Sequence, residues 1–162
     1  MLLLLLFCLI AKGFSLAPNP YNYEVFALHR CHASDTNWTV HGVWPEYYQN
    51  SWPSYCHQTP FDFKAIEPLV SRLNLDWHDC YCHHDQTCTG LWKHEWSKHG
   101  TCSSLYPDQY SYFLEGLELY TVIASQGLID THCQEGTSCY FYWDPFNRVW
   151  LPGPLPPPVA FY

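Results

Sequence analysis

Apolar and polar residues alternate along Tyr23–His29 (Y-E-V-F-A-L-H), the two-residue period of a strand. Trp38–Trp44 (W-T-V-H-G-V-W) reads as a second strand, with Thr39, His41 and Val43 on one face. Pro45 is expected to take the chain out of the sheet, because it cannot donate to a ladder. Residues 46–60 then read as a loop containing Pro53 and Cys56. The period lengthens in Tyr110–Ser125, where Phe113, Leu114, Leu117, Tyr120 and Ile123 form the apolar stripe of a helix that Gly127 stops. Phe61–Leu73 is helical in composition and interrupted by Pro68, and Leu91–His99 predicts a short helix with Gly100 as its stop. Residues 76–89 form an irregular Cys- and His-rich stretch, and a third strand is expected over Ser138–Trp143. The pattern predicts one α+β domain: a small antiparallel sheet with several helices.

The ends do not share this pattern. Met1–Ile10 is almost wholly apolar, too short to span a bilayer, and followed by small residues; residues 1–15 are expected to be a signal peptide. From Leu151 the chain is dominated by proline, so residues 16–150 are taken as the domain and 151–162 as an extended tail. No other segment is apolar enough to serve as a membrane anchor. Setting Cys8 aside with the signal leaves eight cysteines, an even number that in an exported chain predicts a disulfide framework. Asn37-Trp38-Thr39 is a glycosylation sequon.

Charge narrows the function classes. Without Lys12 the chain carries 6 basic and 15 acidic side chains, a net charge of −9 with neutral histidines. There is no basic stripe to track a polyanion, so capture of any phosphate must be local. The many histidines make net charge climb as pH falls through the imidazole range, which suits an acidic setting.

The chemistry concentrates in Trp92–Cys102 (W-K-H-E-W-S-K-H-G-T-C). On a helix, Glu95 and His99 share a face, as do His94 and Lys98, and all four are expected to converge on one site. The block is not an H-E-x-x-H zinc motif. The residue four beyond His94 is Lys98, a cation that a metal would repel, and His99 lies about 100° further round. What remains is an acid–base and phosphate-binding set. Cys80, Cys82, His83, His84 and Cys88 could be drawn as a zinc site, but their irregular spacing and the expected export favour disulfides. A lone His41 would more often be structural.

His41 stands in T-V-H-G-V-W-P-E, about fifty residues before H-E-W-S-K-H-G-T-C. Together the two segments resemble the paired signatures of the T-two family of secreted acid ribonucleases, which includes the plant S-like and self-incompatibility enzymes. The second matches at every fixed position, whereas the first has Val43 for a usual Leu and Glu46 for a usual Asp. Relative to the family pattern the C-terminal part is shortened.

The resemblance implies cleavage of single-stranded RNA by cyclising phosphoryl transfer, with His99 as base and His41 as acid. Lys98 and a protonated or hydrogen-bonded Glu95 would stabilise the phosphorane, and His94 would bind phosphate. Trp44, Glu46 and Trp52, with Tyr55, are expected to contact a base. Cys56 and Cys102 resemble the family bridge between the two motifs. DNA is excluded as substrate because it lacks the 2′-hydroxyl, and neither metal nor cofactor is implied. The expected setting is extracellular, or a lysosome or vacuole. The competing expectation is an inactive, shortened scaffold acting as a secreted binding or toxin-like protein.

Overall fold

The computed structural model describes residues 21–48, 51–82 and 88–152. The expected signal peptide, the tail from residue 153, and His83 and His84 lie outside them. Four strands form one antiparallel sheet: β1 (Tyr23–His29), β2 (Thr39–Glu46), β3 (Ser138–Asp144) and β4 (Val149–Trp150), in the order β2-β1-β3-β4. As a central strand β1 is covered on both faces, and residues 23–28 are all buried. One face carries Phe26, Leu28, Val43, Phe141 and Trp143 into the main core, which Trp77, Trp92, Tyr112, Phe113, Leu117 and Ile123 complete. On the other face Tyr23, Val25 and Tyr142 form a smaller cluster with Trp44, Tyr140 and Leu151.

Two expectations for β2 need correction. Pro45 does not end the strand; it stands opposite Glu24, and the ladder runs on to Glu46. The physical reason is that β2 lies at the sheet edge, where a missing N–H costs no ladder bond. Nor do Thr39, His41 and Val43 share a face. Ala27 pairs with Gly42 and Leu28 with Val40, so His41 is the extra residue of a bulge. Val43 turns into the core while His41 stays 38% exposed, beside α2.

The helices pack against the main-core face. Residues 63–69 form a 3₁₀ turn, begun by Asp62, whose carboxylate accepts the Lys64 amide at 2.9 Å. Pro68 sits inside it, and α1 (Val70–Asp76) follows directly. The site helix is α2 (Gly90–Lys98), with a short 3₁₀ turn at Gly100–Cys102. The longest, α3 (Gln109–Ser125), opens on a capping box between Asp108 and Ser111, and Gly127 takes the left-handed conformation (φ 67°) after its end. A five-residue α4 (Leu128–His132) leads towards β3.

The stripe α3 buries runs through Tyr112, Phe113, Gly116, Leu117, Leu119 and Ile123, leaving Leu114 and Tyr120 partly covered. Gly116 is what lets α3 approach closely, since a Cβ there would overlap the Trp77 ring and press on Val43. Gly116→Ala is therefore expected to destabilise by about 1–3 kcal/mol despite alanine's better helix propensity, as a lowered midpoint in urea unfolding. A raised midpoint would show that the interface has slack.

Four disulfides staple the fold: Cys31–Cys80, Cys56–Cys102, Cys82–Cys88 and Cys133–Cys139. The first two close long loops, of separation 49 and 46, and constrain the unfolded chain most. Cys80, Cys82 and Cys88 are all bridged, so that segment offers zinc no thiolate. Asn37, the glycosylation candidate, is exposed just before β2.

Candidate active site

The orientation of α2 follows from its tryptophans. Trp92 and Trp96 are buried on one face, their indole N–H groups donating to the carbonyls of Trp77 (2.7 Å) and Thr59 (3.2 Å). Residues 92, 95, 96 and 99 share that face, so burying the indoles carries Glu95 and His99 inwards too. At the N-terminus of α2, Asp79 accepts from the Leu91 amide at 3.2 Å. Gly100 follows the helix for a packing reason rather than as a left-handed stop: a Cβ there would overlap the Trp96 ring.

The bulge of β2 meets this face. The Trp77 indole donates to the His41 carbonyl at 2.7 Å, and the Tyr112 hydroxyl donates to the Val43 carbonyl at 3.1 Å. With its backbone pinned from two helical segments, His41 places Nε2 at 3.4 Å from Oε1 of Glu95. The other oxygen, Oε2, accepts the Trp44 indole N–H at 2.8 Å. The His99 ring stacks on Trp44 at 5.2 Å, nearly parallel, and His41 meets the same indole edge-on at 5.5 Å. Gly42 is required here, since any side chain would overlap Glu95 and Trp44.

Electrostatics separate the groups. Glu95 is only 1% exposed, and burial alone would favour its neutral form. The close His41 imidazole, the positive charge at His99 and His41, and the Trp44 N–H outweigh burial and hold its pKa below the ordinary carboxyl value. Glu95 is therefore a hydrogen-bonded carboxylate, not a protonated acid. Burial lowers the His99 pKa to about 4; Glu95 opposes this, while Lys98, His94 and His41 add to it. Nδ1 of His99 is buried with no hydrogen-bond partner among the described residues.

The four polar side chains of α2 do not all converge. Glu95 reaches His41 and His99 stacks on Trp44 beside it, whereas His94 is exposed and Lys98 half-buried. These two act on His99 through their charge.

The base-contact candidates divide as well. Trp44 is engaged by Glu95 and His99. Glu46 is 4% exposed at the end of β2, and burial raises its pKa to about 8, so in mild acid it is a neutral carboxylic acid that can donate as well as accept. Trp52 is half-buried in the loop tied to the end of α2 by the Cys56–Cys102 bridge (Cα–Cα 5.0 Å) and by the Tyr55 amide, which donates to the Lys98 carbonyl at 2.9 Å. Tyr55 itself is 60% exposed.

Sequence reasoning missed His29 at the end of β1, whose ring lies 4.8 Å from that of His41. It also missed Glu24, wholly buried beneath the sheet. Neither carries a local signal, because each matters only through strands and loops distant in sequence.

The chain is 44% identical over 85 residues to ribonuclease DdI of Dictyostelium discoideum, covering 51% of this chain and 36% of that protein. It is 31% identical over 151 residues to the ribonuclease T2 protein rnst-2 of Caenorhabditis elegans, covering 78% and 53% respectively. The chain thus spans between about a third and a half of these relatives' length. Among solved structures, human RNase T2 superposes with a TM-score of 0.57 at 25% identity, over 72% of this chain and 64% of that one. The Ribonuclease T2 family model matches residues 18–135, which include both His41 and the whole of α2, and the chain belongs to that family.

Proposed function

We propose that this protein is an endoribonuclease that cleaves single-stranded RNA by transesterification. The observation that carries the reading is the meeting of His41, the buried Glu95 carboxylate and His99 around Trp44. His99 takes the proton from the ribose 2′-hydroxyl as O2′ bonds to the adjacent phosphorus. The P–O5′ bond breaks, and His41 delivers a proton to O5′, leaving a 2′,3′-cyclic phosphate and a 5′-hydroxyl. A base of pKa about 4 is free to accept a proton throughout mild acid, and the Glu95 carboxylate supplies the counter-charge for an imidazolium at His41. Lys98 and His94 add positive charge beside the phosphate, and Trp44, Glu46 and Trp52 contact a base. DNA is not cleaved, for want of the 2′-hydroxyl.

The domain follows a signal peptide at residues 1–15 and precedes the proline-rich stretch 151–162; the protein is exported, to the outside or to an acidic organelle, and carries sugar on Asn37. The eight cysteines paired in four disulfides support export, and the exposed asparagine supports modification. The test is incubation of the oxidised protein with single-stranded RNA from pH 4 to 8 in EDTA. Fragments ending in 2′,3′-cyclic phosphate are expected, because two imidazoles can supply both proton transfers. Absence of cleavage by folded protein would overturn the reading in favour of a binding role.

A further inference from the structure

His29 belongs to neither sequence motif, yet it is built into the site. It ends β1 between Thr39 of β2 and Ser138 of β3, and its ring meets that of His41 edge-on at 4.8 Å. Nε2 of His29 lies 3.3 Å from the His78 carbonyl, and because a carbonyl only accepts, Nε2 carries the proton. The Cys31–Cys80 bridge fixes this contact: each half-cystine lies two residues beyond one partner, and Cys80 Sγ is 3.9 Å from Nε2. Three groups thus surround His41, with the Glu95 carboxylate, the Trp44 edge and the His29 ring each on it.

We infer that His29 is a positioning residue, whose ring, anchored by its hydrogen bond to the His78 carbonyl, holds His41 in the orientation required for proton delivery. The ionisable groups around His29 are His41 from β2, His78 from the segment after α1, and Glu95 from α2. Burial first, and the charge on His41 second, lower the His29 pKa to about 4, so it stays neutral where His41 must act. A permanent cation in this place would repel an imidazolium; a neutral ring with one N–H committed to a carbonyl does not. The inference rests on the ribonuclease reading of His41.

The test separates a hydrogen-bonded brace from simple filling of space. His29→Gln keeps an amide donor for the His78 carbonyl and cannot be protonated, whereas His29→Leu keeps volume without a donor. In RNA cleavage, His29→Leu and His29→Ala are expected to lose roughly tenfold in kcat with KM within about twofold. His29→Gln should recover most of that loss. In parallel, the ¹⁵N signals of the His41 imidazole should move in the Ala and Leu variants and return in the Gln variant, with melting curves confirming that each is folded. Wild-type His41 signals in His29→Ala, or equal rescue by Leu, would overturn the inference. If the wild type itself does not cleave RNA, the ribonuclease reading fails, and the imidazole signals alone decide whether His29 holds His41.

Discussion

Replacing His99 with alanine is expected to lower kcat for RNA cleavage by about 10²–10⁴-fold, the contribution of a positioned general base. No neighbour can substitute. His94 is exposed on another side of α2, and Glu95 is committed to His41 and Trp44. KM should change far less, because the imidazole acts on the proton moved in the transition state rather than on bound substrate. His41→Ala should cost a similar factor, and the double variant should lose much less than the product of the two, since the residues act as a unit. The wild-type rate should fall below about pH 4, where His99 gains a proton. The measurement is steady-state cleavage of a short oligoribonucleotide across that range. A His99→Ala protein that melts normally and keeps a tenth of the activity would remove His99 from the mechanism.

The fold is expected to be more stable at pH 5–6 than at pH 8. Glu24 is wholly buried, and the hydroxyls of Tyr21 (3.0 Å) and Tyr106 (3.1 Å) donate to it. Burial raises its pKa to about 8 against that bonding, and burial does the same for Glu46. Both carboxyls bind their protons more tightly folded than unfolded. Their contribution is therefore full below about pH 4.5, the ordinary carboxyl value, and lost as pH rises through 8.

His29 and His99 act in the opposite sense. With folded pKa values of about 4 against an ordinary 6.5, they favour folding as pH rises between those values. The two effects offset one another from about 4.5 to 6.5. Above 6.5 the effect of these two carboxyls is no longer offset, and stability declines by on the order of a few kcal/mol, several degrees in Tm. Below 4.5 the depressed pKa of Glu95 adds a loss of its own. Differential scanning calorimetry at pH 5.5 and pH 8 reads the difference directly. Glu24→Gln should raise Tm at pH 8 and flatten the profile. A wild-type Tm that climbs from pH 6.5 to 8 would contradict this account.

Much of the site was legible because its information is local. The spacing from His94 to Cys102, the short helix beneath it, the amphipathic α3 and the first strand all follow from periodicities of a few residues, which the chain carries whatever its partners. Resemblance to a family pattern added the pairing of His41 with α2 and of Cys56 with Cys102. The remainder is decided between segments far apart.

Pro45 stays in its strand because β2 is an edge, and a strand cannot state its own place in the sheet. The bulge that sends His41 to Glu95 arises from register against β1. Glu95 reads as one of four polar groups converging on one site until Trp92 and Trp96 turn it inward, where the contacts and charges of His41, His99 and Trp44 keep it ionised. Glu24 and His29 follow the same logic. Residue type and spacing determined which groups could do chemistry. Burial and long-range contact, which depend on what packs opposite, determined which of them meet and in what protonation state.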